Sequence, residues 1–205
     1  MLKPPKPYHL RAMRLSDIIH VMAIEQVSFP TPWKASAYEY EITRNRLASY
    51  QVITVQIGDR PEELIGYSGY WLMSGEAHIS TIAVNPDWRS LGLGELLFLN
   101  ILMMASSDAA HLATLEVRKG NKVAQSLYEK YQFQIVGERP HYYQGTESAI
   151  LMTAEPLDDD YRVFLRYRRR ELFQKLEDNP PDNRPAQAHS IKNKSTSKTT
   201  DSDKK

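Results

Sequence analysis

Ile82-Ala83-Val84-Asn85-Pro86-Asp87-Trp88-Arg89-Ser90-Leu91-Gly92-Leu93-Gly94-Glu95 joins an apolar, β-branched run to a second apolar segment through a turn and two glycines. The run predicts a buried strand ending at Val84. The residues after it predict a helix over about Gly92–Ala105. Glycines at the mouth of a helix let backbone N–H groups approach a phosphate closely, and the helix dipole adds positive potential. Three phosphate motifs compete for the stretch. A Walker A loop ends in Gly-Lys-Ser/Thr, but Gly94 is followed by Glu95 and Leu96, which excludes it. A dinucleotide fingerprint wants a third small residue at position 97, where Leu97 stands. Arg-x-x-Gly-x-Gly remains, spelled by Arg89, Gly92 and Gly94. The alternative is a tight strand–helix corner with no ligand.

Upstream, the pattern predicts a strand at Tyr8–Met13 and a helix from Ser16/Asp17 to Val27 with Ile18, Ile19, Met22 and Ala23 inward. A second helix is expected to open at Thr31, with Pro32 in its first turn. Strand-like runs follow at Ser49–Ile57, Leu64–Met73 and Ala77–Val84, joined by turns at Gly58–Glu62 and Ser74–Glu76. Downstream come a strand at Ala113–Arg118, a helix at Asn121–Tyr131, and strands at Gln134–Glu138 and Glu147–Ala154. Hairpins early in the chain imply antiparallel pairing, and the later strand–helix–strand order implies a right-handed crossover with one parallel pair. The fold class expected is α/β: a mixed, mostly antiparallel sheet flanked by helices. It occupies residues 8–156, with a helical extension over 157–178 and a disordered tail over 179–205. Leu157, Tyr161, Phe164, Leu165, Leu172 and Leu176 share one face of the extension, which fits either a helix packed on the main domain or one that docks a partner.

Among 205 residues, 41% are apolar and 25% charged, as in an ordinary globular protein. The net charge of +1 argues against a wholly basic, polyanion-binding surface, so no specific nucleic-acid binding is expected. The 179–205 segment carries six Lys/Arg against three Asp/Glu and has almost nothing apolar to bury. Cysteine is absent, which removes disulfides, a thiolate nucleophile and Cys-ligated metals. The six histidines show no His-x-x-x-His spacing, so no metal is expected. Neither a secretory signal nor an apolar span of 18 residues is visible, and a cytoplasmic location with no membrane partner is expected.

Further motifs follow the phosphate loop. Leu115-Glu116-Val117-Arg118 is read as a strand, Asn121 opens the next helix, Leu127-Tyr128-Glu129 lies on it, and Tyr142-Tyr143 follows the next strand. Together with Ile82-Ala83-Val84, Ile24-Glu25, Phe29-Pro30 and Pro32-Trp33, these resemble the GCN5-related N-acetyltransferases, and more closely their bacterial ribosomal-protein alanine N-acetyltransferase branch. The resemblance covers about residues 8–155. Lys119-Gly120 replaces the commoner Ala-Ser or Pro-Ser, and Tyr131-Gln132-Phe133 lacks the usual glycine of Leu-Gly-Phe. The resemblance implies acetyl-coenzyme A as co-substrate and the N-terminal alanine of a small-subunit ribosomal protein as acceptor. Acceptors still open are other protein N-termini, lysine side chains and small amines. A non-catalytic coenzyme A-binding module is the reading from another class, disfavoured by the presence of both Glu116 and Tyr128.

The chemistry also stands on its own. An α-amino group with a pKa near 7.7–8 must lose a proton to attack a thioester. Glu116, the acid inside an apolar strand, is the expected base; the alternative is a glutamate on the solvent phase of that strand. Tyr128 is expected to serve the departing sulfur, by proton or hydrogen bond; its alternative is a half-buried anchor of the helix. Backbone groups of Ile82, Ala83 and Val84 are expected to hold the acetyl and pantetheine portions, and Arg89, Leu91, Gly92, Leu93, Gly94 and Glu95 the pyrophosphate. Asn121 is expected at the pantetheine arm, or as a simple helix N-cap. Phe29, Trp33, Tyr142 and Tyr143 are expected either to wall a groove for a peptide N-terminus or to fill the core.

Overall fold

The structure, a computed structural model, describes residues 1–143, 145 and 147–181. The expected tail therefore lies, beyond Pro181, outside the described residues. Seven strands form one sheet: β1 (Tyr8–Ala12), β2 (Ala48–Val55), β3 (Glu63–Met73), β4 (Glu76–Val84), β5 (Leu112–Arg118), β6 (Gln134–Tyr143) and β7 (Glu147–Ala154). Their spatial order is β1-β2-β3-β4-β5-β7-β6. The β4–β5 pair is parallel and the other five pairs are antiparallel. The parallel pair is the one bridged by a helix, α3 (Leu93–Ser107), as the crossover rule requires. Ser74 and Gly75, both at positive φ, close the tight β3–β4 hairpin.

Each face of the sheet has its own apolar layer. The larger cluster joins α3 to Ile53, Val55, Ala77, Ile79, Val84, Leu115 and Val117. The smaller one joins α1 (Ile18–Ser28) and α2 (Ala35–Thr43) to Tyr50, Val52, Tyr67 and Ala83. Alternation along β2 sends Val52 and Ile53 to opposite layers. After β5, α4 (Lys122–Lys130) covers the larger layer through Leu127 and Tyr128. The final helix, α5 (Asp159–Asp178), is capped by Asp158, whose side chain accepts the Tyr161 N–H at 2.9 Å. Leu157, Tyr161, Leu165, Leu172 and Leu176 are buried in the larger cluster, with Phe164 half-buried beside them. The helix is packed on the main domain, the first of the two expectations for it.

Three expectations need correction. α1 buries Val21, Ile24 and Glu25, while Ile19 is 73% exposed and Ala23 faces solvent. The apolar stripe is offset because α1 turns its one acid inward. α2 opens at Ala35, not Thr31: residues 31–34 are a linker in which the Trp33 N–H donates to the Glu25 carboxylate at 3.1 Å. β6 extends to Tyr143, beyond the expected end at Glu138, because β7 offers it a ladder as far as Tyr143↔Glu147.

Candidate active site

β4 and β5 pair only from Glu76↔Leu112 to Ile79↔Leu115. Against β3, the register of β4 jumps from Ile79 to Thr81, leaving Ser80 as an extra residue. Such a bulge bends and twists its strand. β4 then runs on to Val84 and β5 to Arg118 as the two arms of a fork. Asn85 donates its N–H to the Ile65 carbonyl of β3 at 2.8 Å. Alternation therefore turns Ala83 toward β3 and the backbone groups of Ile82 and Val84 toward the fork. The Val84 carbonyl, on that open side, accepts from Arg89 Nε at 3.1 Å.

The phosphate-loop candidate lies at the end of the β4 arm. Residues 86–88 form one 3₁₀ turn, with Asn85 accepting the Asp87 N–H. Ser90 and Gly92 both take left-handed conformations, at φ 66° and 87°. The first intrahelical bond of α3 runs from Leu96 N–H to Gly92 O at 2.9 Å, so the amides of Leu93, Gly94 and Glu95 have no acceptor within the helix. A Cβ on Gly94 would meet open space. These features fit a pyrophosphate: free amides, a positive helix end and no side chain in the way. The Arg89 side chain is occupied elsewhere, since Nη2 donates to Ser28 Oγ at 3.0 Å and so ties α1 to the loop. The Leu91 side chain packs half-buried on the larger cluster.

Glu116 follows the last residue of β5 that pairs with β4, so it stands at the apex of the fork. Its side chain is only 10% exposed and faces the α1/α2 side, opposite buried Leu115 and Val117. His78 Nε2 lies 3.1 Å from one carboxylate oxygen and Arg139 Nη1 3.0 Å from the other. Trp71 stacks on His78, with centroids 5.6 Å apart and planes 13° apart. Tyr128 is half-buried on α4, 4.9 Å from the Phe98 ring. Burial, with the neighbouring Tyr143, pushes its phenol up to about 12, so it stays protonated across the physiological range. Tyr143 in turn lies within electrostatic reach of Glu116, and the Arg118 guanidinium stacks 4.0 Å over its ring. Glu116, Tyr128, Tyr143 and, through Arg139 at 5.7 Å from its ring, Tyr142 thus share one neighbourhood. Phe29 and Trp33 are half-buried against the smaller cluster that contains Ala83, so they border the β4 arm. Tyr142 is 48% exposed. Asn121 caps α4, its side chain accepting the Ala124 N–H at 3.1 Å.

Sequence reasoning gave no role to His78 or Arg139. His78 alternates with Ala77 and Ile79, which marked it as surface-phase but nothing more, and Arg139 falls where the strand was expected to have ended. Nor did it foresee the carboxylate clamp beneath α1. Glu25 is 2% exposed and accepts the Tyr38 and Tyr67 hydroxyls as well as the Trp33 N–H. Burial pushes both tyrosines well above their ordinary range. With its oxygens so engaged, Glu25 acts as a structural clamp between α1, α2 and β3. Among the described residues, no group of three or more His, Asp and Glu is placed to hold a metal ion. No helix among them is long and apolar enough to cross a membrane.

The sequence profile of the Acetyltransferase (GNAT) family matches residues 18–133. The chain belongs to this family. A Bacillus subtilis protein provisionally named a ribosomal protein bS18-alanine N-acetyltransferase is 38% identical over 144 residues, which span 70% of this chain and 92% of that one. A Sulfurisphaera tokodaii N-alpha-acetyltransferase is 30% identical over 166 residues, spanning 74% of this chain and 95% of its own. The crystal structure of the Escherichia coli ribosomal-protein-S18-alanine N-acetyltransferase shares the fold, with a TM-score of 0.65 at 24% identity over 73% of this chain and 94% of that one. This GNAT chain carries α5 beyond the residues the family profile matches.

Proposed function

We propose that the chain transfers acetyl from acetyl-coenzyme A to a protein N-terminal α-amino group, with the N-terminal alanine of a small-subunit ribosomal protein as the favoured acceptor. The observation that carries this reading is Glu116 at the apex of the fork, beside open strand edge and free helix amides. The names of the Bacillus and Escherichia relatives support the alanine acceptor. That of the Sulfurisphaera relative supports a broader choice of N-termini. Residues 8–156 make up the catalytic unit, and a cytoplasmic location follows from a ribosomal acceptor.

In this reading the amides of Leu93, Gly94 and Glu95 hold the pyrophosphate, and Gly94 leaves it room. Ile82 and Val84 present backbone groups to the acetyl and pantetheine portions; an N–H there would polarise the thioester carbonyl. Asn121 sets the start of α4 beside the same arm. Phe29 and Trp33 on one side and Tyr142 and Tyr143 on the other line the approach of the peptide. Glu116 takes the proton as the amine nitrogen bonds to the carbonyl carbon and the carbon–sulfur bond breaks. His78 and Arg139 position its carboxylate. Tyr128 donates a hydrogen bond to the departing sulfur. Full proton transfer from a phenol near 12 to a thiolate with a reference pKa near 8.5 is uphill by about 5 kcal/mol. Hydrogen bonding is therefore its favoured role. The test is incubation with acetyl-coenzyme A and peptides beginning Ala, Ser, Met or blocked with an internal lysine, read by mass spectrometry. Acetylation of the Ala peptide at its α-nitrogen is expected; modification of the blocked lysine peptide alone would refute the reading.

A further inference from the structure

We infer that α5 completes the co-substrate site: Lys130, Arg168 and Lys175 form an anion pocket for the 3′-phosphate on the adenosine end of coenzyme A. The inference rests on the acetyl-coenzyme A reading above and extends it to a part of the chain that the family profile does not reach. A cleft of about 250 Å³ opens beside the mouth of α3, lined by Glu95, Lys130, Arg168, Glu171, Leu172 and Lys175. It adjoins the phosphate loop directly. Leu172 of α5 lies 3.3 Å from where a Cβ on Gly92 would stand. Glu95 belongs to the same first turn of α3 whose amides face the expected pyrophosphate.

The charges in this cleft are arranged to receive an anion. Glu95 Oε1 accepts from Lys130 Nζ at 2.6 Å and from the Tyr131 hydroxyl at 2.9 Å, and Arg168 Nη2 lies 3.6 Å away. The Glu95 carboxylate is thereby neutralised at the helix mouth, while it holds two cations in place. Glu171 grips the other edge of Arg168, through Nη1 at 2.5 Å. Arg168 Nε is buried with no hydrogen-bond partner among the described residues. Lys175 lines the cleft from solvent and makes no ion pair among the described residues. Three cations thus face two carboxylates that are already satisfied. Along coenzyme A, the charge next to the pyrophosphate is the ribose 3′-phosphate, one sugar away. With the pyrophosphate on the α3 amides, the 3′-phosphate would lie within one ribose of the loop that the pocket adjoins.

The experiment compares coenzyme A with 3′-dephospho-coenzyme A by titration calorimetry on the full chain. The wild type should bind coenzyme A at least about tenfold more tightly, the effect of one charge-assisted contact. Lys130→Gln/Lys175→Gln should bind coenzyme A about as weakly as the wild type binds the dephospho form, with affinity for the dephospho form unchanged. Lys175→Gln alone, at an exposed position, should show part of the loss without touching packing. Equal affinity of the wild type for both ligands would overturn the pocket and leave the acetyl-coenzyme A reading standing. So would a double variant that keeps the full preference. Binding of neither ligand would overturn both.

Discussion

Gly92 and Gly94 stand two residues apart, yet their substitution should cause separate losses. Gly92 has φ 87°, and a Cβ there would sit 3.3 Å from Leu172 Cδ1 and 3.8 Å from Leu176 Cδ2. An L-residue in the left-handed region costs about 1–2 kcal/mol. The leucine methyl can yield a few tenths of an ångström, so the contact adds little. Gly92→Ala should therefore destabilise the fold by about 1–2 kcal/mol, or about 2–8 °C in Tm for a chain of this size. Gly94 has an ordinary φ and no heavy atom within 4 Å of an added Cβ. Gly94→Val should leave stability within about 0.5 kcal/mol, as at most unencumbered surface positions. Its branched side chain would instead fill the space over the α3 amides and lower coenzyme A affinity by about tenfold or more, since each lost charge-assisted bond is worth at least that much. Thermal melts of the unliganded proteins, paired with calorimetric titration of coenzyme A, read both quantities. If Gly94→Val binds coenzyme A with wild-type affinity, the loop is a corner and not a phosphate site. If Gly92→Ala melts unchanged, the left-handed turn is not needed where the structure puts it.

Glu116→Gln should lower turnover on an alanine peptide by about 10²–10⁴, with coenzyme A affinity unchanged and partial rescue at high pH, where more of the amine is free. Wild-type turnover for this variant at pH 7 would move the base elsewhere. Tyr128→Phe should slow turnover with no rescue at high pH, and the wild-type rate should show no basic limb from this phenol below about pH 11, given its position near 12. A limb near pH 9 that vanishes in Tyr128→Phe would contradict the burial argument. Glu25→Gln should lower stability by about 1–3 kcal/mol, the cost of disturbing a buried, saturated acceptor, while the folded fraction keeps normal turnover. Loss of turnover at unchanged denaturation midpoint would give Glu25 a chemical role. Burial pushes the Asp17 carboxyl up, but hydrogen bonds from Arg11 and the Arg14 amide outweigh this and hold it below its usual value. Its stabilising effect is thus complete above the unfolded pKa near 3.9 and fades as pH falls through the lower folded one. Tm differences between wild type and Asp17→Asn should be constant above about pH 5 and shrink below about pH 4; a constant difference down to pH 2 would refute the pairing.

The elements were legible where local periodicity and burial coincide. Ala113–Arg118 alternates cleanly because one face is core and the other carries the half-buried Glu116 of the candidate site, and Glu147–Ala154 is bounded by residues that end a ladder. α1 misled because its inward face contains Glu25, an acid that pattern reading assigns to solvent. Its partners Tyr38 and Tyr67 lie 13 and 42 residues away, and nothing local announces them. Glu116 was visible as the acid of an apolar strand, but its ion pairs to His78 and Arg139 depend on strand order, with β7 bringing β6 back toward β5. The turn between β4 and α3 was legible because its left-handed step at Gly92 is written in glycine. That α5 would press on that loop was not, since Leu172 and Gly92 are 80 residues apart and share no pattern.

β7 is the last strand among the described residues, yet it lies between β5 and β6. The sheet therefore cannot be assembled in the order in which it is synthesised. β1 to β5 can zip as a unit once Arg118 is made, but β6 has no sheet neighbour until residues 147–154 slide into the space left for them. Arg139, which reaches Glu116 from β6, is brought into place only by that late insertion. The Glu116 carboxylate is thus left without one of its two partners until residues 147–154 have been made. A nascent chain halted before residue 147 would hold the glycine turn and the fork, but not the Glu116–Arg139 pair.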